Sequence, residues 1–126
     1  MARPASKQPT EVELKILNVL WKQGACSVKK VHEALGKSTE YTTVLKMMRI
    51  MKDKNLVRRD ETQRAHVYKA VSGEQETQQH YLRDLLPRLF RGSRKLLILQ
   101  ALSTQPASAK ELNEILGMIR EMENKK

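Results

Sequence analysis

Five side chains in the middle of this chain, Thr42, Thr43, Lys46, Arg49 and Lys52, are hydroxyl or cationic groups set at the spacing of one helix face. None of them breaks or makes covalent bonds unaided. Lys and Arg donate to guanine edges or phosphate oxygens, and hydroxyls reach either bases or phosphates, so the chemistry on offer is recognition of a polyanion, with Lys46 and Arg49 suited to bases and Lys52 to backbone. Ser27 and Lys30, at the start of a preceding short helix, are placed to meet phosphate. Arg64 sits near the tip of a polar stretch flanked by β-prone runs, where a side chain can enter a minor groove or cross a phosphate. Arg58 or Arg59 adds a further wing cation, and the order of residues does not choose between them.

Other chemistry finds little support. Cys26, His32, His66 and His80 match no metal-ligand spacing, and one cysteine permits neither an intrachain disulfide nor a multi-thiolate site. No nucleophile and base pair, phosphate loop or paired acidic site appears, so no enzyme, metal or cofactor is expected. Met47, Met48 and Met51 on one helix read as core packing.

The charge is unevenly distributed. Of the net +10, residues 1 to 72 carry 15 Lys+Arg against 7 Asp+Glu, +8, while residues 73 to 126 carry 9 against 7, +2. The surface that seeks a polyanion therefore belongs to the first segment. With 126 residues, 40% of them hydrophobic, the chain suits one compact domain and an accessory region. The lone cysteine, and the lack of any signal peptide or long apolar run, predict a cytoplasmic protein without membrane insertion.

Those side chains need a frame, and the apolar periodicity supplies one. Residues 1–8 read as a flexible basic arm. Thr10 to Glu13 is a capping box opening a helix with Val12, Ile16, Val19, Leu20 and Trp21 inward, ending at Gly24. Ser27 caps a short helix carrying Val28, Val31, His32 and Leu35. Ser38 or Thr39 caps a third, Glu40 to about Lys54, whose inward stripe is Tyr41, Val44, Leu45, Met48 and Met51. Residues 56–59 and 66–71 form a hairpin, a wing, with Ala25 to Ser27 available as a short third strand. Ser72 caps a fourth helix to about Phe90, interrupted or kinked at Pro87; Ser93 and Ser108 start a fifth and a sixth. The fold class is mainly α with a small β-hairpin wing: a winged helix-turn-helix over 9–72 and a three-helix region over 73–126. Leu82, Leu85, Leu89, Leu96, Leu97, Leu112, Ile115, Leu116 and Ile119 form apolar stripes there that exceed what one small domain covers, and predict a homodimer.

Thr10 to Trp21, Tyr41-Thr-Thr-Val-Leu45, the Arg64 to Tyr68 hairpin and Arg91-Gly-Ser93 together resemble the penicillinase-repressor (BlaI/MecI) family, over residues 9 to 123. The resemblance implies a homodimer that binds a dyad-symmetric operator in double-stranded DNA and blocks transcription. In β-lactam-responsive members a membrane sensor-transducer metalloprotease triggers cleavage in the helix that here begins at Ser93; the corresponding bond is Gln100-Ala101, which differs from the Asn-Phe pair of staphylococcal members. A copper-responsive sister branch uses paired Cys-x-Cys motifs, which a chain with Cys26 alone lacks. The alternative function is a winged-helix module that docks protein or RNA without operator specificity; the basic third helix favours DNA, because a protein-docking face is expected to show apolar anchors.

Overall fold

The computed structural model describes residues 9–62 and 64–125; the N-terminal arm lies outside them. Thr10 caps α1 (Glu11–Gln23) in the expected reciprocal box: its hydroxyl accepts from Glu13 N–H while its own N–H donates to Glu13. After Gly24, β1 (Cys26–Ser27) leads into α2 (Val28–Leu35), where Ser27 Oγ accepts from Lys30 N–H at 3.2 Å. A single 3₁₀ turn, Gly36–Ser38, separates α2 from α3 (Tyr41–Asp53). The residue at the cap of α3 is Glu40, and its side chain makes no capping bond. Neither Ser38 nor Thr39 takes that role; Ser38 Oγ instead donates to Leu35 O, satisfying the end of α2.

The chain reverses out of α3 through Asn55, whose φ of 66° closes a turn in which Leu56 N–H reaches Met51 O. β2 (Val57–Asp60) and β3 (Val67–Ala70) form the wing hairpin, and β1 pairs with β3, so the sheet order is β1-β3-β2, antiparallel throughout. The core joins Ile16, Leu17 and Leu20 of α1, Val28 and Val31 of α2, Val44, Met48 and Met51 of α3, and Cys26, Val57 and Tyr68 of the sheet. Val12, expected inward, is exposed, because the inward side of α1 is centred on Glu13, Ile16, Leu17 and Leu20.

Glu13 is the unexpected member of that interior, only 1% exposed. Its carboxylate accepts from Lys54 Nζ at 2.9 and 3.1 Å, and Lys54 is the cap residue of α3. Burial alone would raise the Glu13 pKa. The Thr10 N–H and the Lys54 ammonium outweigh it and hold the pKa below the usual carboxylate value.

The compact units divide between Tyr81 and Leu82. The first includes the opening turns of α4 (Glu74–Phe90). Trp21 Nε1 donates to Ser72 O at 2.9 Å, and Tyr81 OH donates to Pro9 O. The first backbone bond of α4 is Thr77 N–H to Gly73 O, so Gly73 rather than Ser72 holds the cap position. Pro87 does not interrupt the helix, which continues to Phe90. In the second unit Arg91 and Gly92 both take positive φ, 52° and 79°, to make the turn into α5 (Arg94–Ser103). α6 (Ala109–Asn124) follows, and Ser93 and Ser108 cap the two helices as expected.

The Glu13–Lys54 pair generates a stability prediction. Lys54→Met strands a buried carboxylate and should cost about 3 kcal/mol in urea unfolding, whereas Glu13→Gln, which keeps the shape, should cost less. Because the folded Glu13 pKa is depressed, its contribution is present above the ordinary carboxylate pKa and lost as pH falls through the folded value. The unfolding midpoint of Glu13→Gln should therefore fall less steeply with acid than that of the wild type; parallel curves would contradict the assignment.

Candidate nucleic-acid interface

At about 100° per residue, the buried Val44, Met48 and Met51 lie within one 60° sector of α3, and Thr42, Lys46 and Arg49 occupy the opposite one, all three exposed. Thr43 and Lys52, also exposed, fall on the two flanks of that polar strip rather than within it. The geometry is that of a helix held by one side and open on the other. A ridge with hydrogen-bonding groups at its crest and a hydroxyl and a cation on its shoulders fits a groove between two phosphate walls.

Tyr41 departs from expectation. Instead of joining the inward stripe it is 45% exposed, at the first position of α3. Its ring meets His32 of α2 edge-on, with centroids 5.7 Å apart and planes at 86°. Lys30 is exposed on the first turn of α2, while the hydroxyl of Ser27 is half-buried and engaged as the cap.

The strand register resolves the wing arginines. Val57 and Arg59 share the inward side of β2, and Arg58 and Asp60 share the outward side. Arg59 is tied to Glu61 and lies opposite Tyr68, and Tyr68 and then Glu61 hold its guanidinium charged, with a raised pKa. Arg58 points outward, directly opposite the exposed Lys69. Like charges at facing positions destabilise an antiparallel pair, and a polyanion laid across the wing would relieve the repulsion. Lys69 was not apparent from the sequence, since the strand had to be registered against β2 before the two cations became neighbours. At the wing's turn, Asp60 accepts from both the N–H and the hydroxyl of Thr62, which hold its pKa low. Arg64 is exposed in the same loop.

The remaining polar candidates do not converge. Cys26 is buried with its thiol against Gly24 O; His66 and His80 are exposed on the wing loop and on α4. Among the described residues no group of His, Cys, Asp and Glu is placed to hold a metal ion, and no helix is long and apolar enough to cross a membrane.

If Arg58 and Lys69 repel each other, Lys69→Thr should raise the thermal stability of the DNA-free chain by about 0.2–1 kcal/mol. Destabilisation by the same change would show that Lys69 is fixed by packing instead.

Comparison with known proteins agrees with the architecture. A curated penicillinase repressor of Bacillus licheniformis is 23% identical over 121 residues, covering 94% of each chain. The family model described as penicillinase repressor matches residues 9–121, nearly the whole of both units, and this chain belongs to that family of transcriptional repressors.

Proposed function

We propose that this chain is a homodimeric repressor that binds a palindromic operator in double-stranded DNA, placing α3 in the major groove and the wing across the adjacent backbone. The observation that carries the reading is the division of α3 into a fully buried apolar sector and an opposed sector of Thr42, Lys46 and Arg49. Thr43 and Lys52 on its shoulders, Lys30 on α2, and Arg58, Lys69 and Arg64 on the wing supply backbone contacts; Ser27 does so from its capping position. All of these lie in the segment that carries the positive excess.

The second unit taken by itself supports dimerisation. No described side chain from 82 to 125 is buried, and Leu82, Leu85, Leu89, Leu112, Leu116 and Ile119 are exposed, Leu89 by 64%. Leu112, Ile115, Leu116 and Ile119 repeat at i, i+3, i+4, i+7 along α6. Leu96 and Leu97 of α5 are half-buried. An apolar surface of this extent calls for a partner, and a second copy presenting the same surface is the simplest one. Joining two weak heads raises operator affinity through effective concentration, so cutting the joint switches the repressor off. Gln100 and Ala101 are exposed on α5, and Ser103 and Thr104 bond back to the Leu99 and Ala101 carbonyls, a pattern that loosens a helix end. Cleavage at that bond, under β-lactam-type signalling through a membrane sensor metalloprotease, is the proposed release step.

The test is binding of the full chain to an operator recovered from a random duplex pool, against a scrambled duplex, over a range of salt. Arg49→Ala should cost about 1–3 kcal/mol on the operator and little on the scrambled duplex. Lys52→Ala and Lys69→Ala should weaken both and lower the salt slope by about 1 each. A chain that recovers no preferred duplex would favour the protein- or RNA-docking module. In parallel, the wild type should sediment as a dimer at micromolar concentration and Leu116→Glu as a monomer with operator affinity reduced about 100-fold or more; a monomeric wild type would overturn the dimer.

A further inference from the structure

We propose that Tyr41 reads sequence at the head of α3 by laying its ring against the 5-methyl group of a thymine, and that His32 is the residue that positions it. The inference rests on the DNA-binding reading and narrows it to one contact. The N-terminal residues of a recognition helix are the ones that come nearest to base edges in the major groove, and Tyr41 is the first residue of α3. One and two turns further on, Val44 and Met48 are fully buried, whereas the ring of Tyr41 stays 45% exposed.

On the helix wheel Tyr41 lies about 20° from the buried Met48 and about 80° from Arg49, at the edge of the buried sector on the side that leads through Lys52 to Arg49. The imidazole of His32, on the preceding helix, meets its ring edge-on, 5.7 Å away at 86°. A T-shaped contact restrains the ring without covering it, and His32 stands on α2, which packs against α3. A restrained, half-exposed ring loses little freedom when a ligand covers it. The thymine methyl is the distinctive apolar group that the major groove displays, and it is the feature to which an aromatic face contributes most.

The experiment compares Tyr41→Ala, Tyr41→Phe, His32→Ala and His32→Phe with the wild type on the selected operator, on a scrambled duplex, and on operators in which each thymine of a half-site is replaced in turn by deoxyuridine. Tyr41→Ala should lose about 4-fold or more on the operator, the scale of one buried methyl-sized group, and little on the scrambled duplex, while Tyr41→Phe binds nearly as the wild type. One thymine-to-uracil change should weaken the wild type and have no further effect on Tyr41→Ala. His32→Ala should show a smaller loss at that same thymine, restored by His32→Phe, which keeps an aromatic edge. Equal losses on operator and scrambled duplexes, absence of coupling at any thymine, or unchanged operator binding by Tyr41→Ala would each overturn the assignment. Arg49→Ala separates the two readings: if it loses operator binding while Tyr41→Ala does not, the DNA-binding reading stands and the Tyr41 inference falls.

Discussion

The ion pair between Glu13 and Lys54 is the constraint on which the N-terminal unit turns. A carboxylate in an apolar interior is unfavourable unless its lone pairs are taken up, and here they are taken up by the capping N–H at the start of α1 and the ammonium at the end of α3. Two helix ends far apart in sequence are thereby fixed to one group. α3 is held at its C-terminal end by charge and along its length by Val44, Met48 and Met51, which leaves its opposite sector displayed. Tyr81 binds the carbonyl of Pro9, beside the same capping box, and Trp21 binds the carbonyl of Ser72. The opening of α4 is therefore secured to the first unit.

Much of this was legible in the order of residues. The capping box at Thr10, the Ser27, Ser93 and Ser108 caps, the apolar period of α3 and the hairpin after Asn55 are local signals, and local signals survive folding. What escaped were features created by tertiary neighbours. Glu13 reads as half of a capping box and nothing more until Lys54 is folded against it. Tyr41 fits the apolar period of α3, yet the period describes an indefinitely long helix, and at its first residue the ring meets His32 edge-on and stays 45% exposed. Ser72 has the side chain of a cap, but its carbonyl is engaged by Trp21 and the helix starts one residue later. Arg58 and Arg59 are equivalent in a sequence and opposite in a strand, because side chains alternate faces.

The candidate site shows the same division. Thr42, Lys46 and Arg49 could be grouped from helical spacing alone, since all three lie on one element. Lys69 could not, because its pairing with Arg58 depends on a register set by the wing turn. A site assembled from one helix is readable from periodicity, whereas one assembled from two strands requires the fold.

The two units solve the burial problem differently, and that difference bears on control. The first closes a core of eleven buried side chains around α3 and can present its polar sector without help. The second keeps long apolar side chains such as Met118 and Met122 at the surface, 61% and 71% exposed, and leaves its stability to whatever covers them. On the proposed reading, such a chain has a recognition surface that does not need to deform and a joint whose state is set by association. In the proposed repressor, any event that weakens the joint lowers DNA affinity through the loss of linked binding, with α3 and its ion pair left as they were.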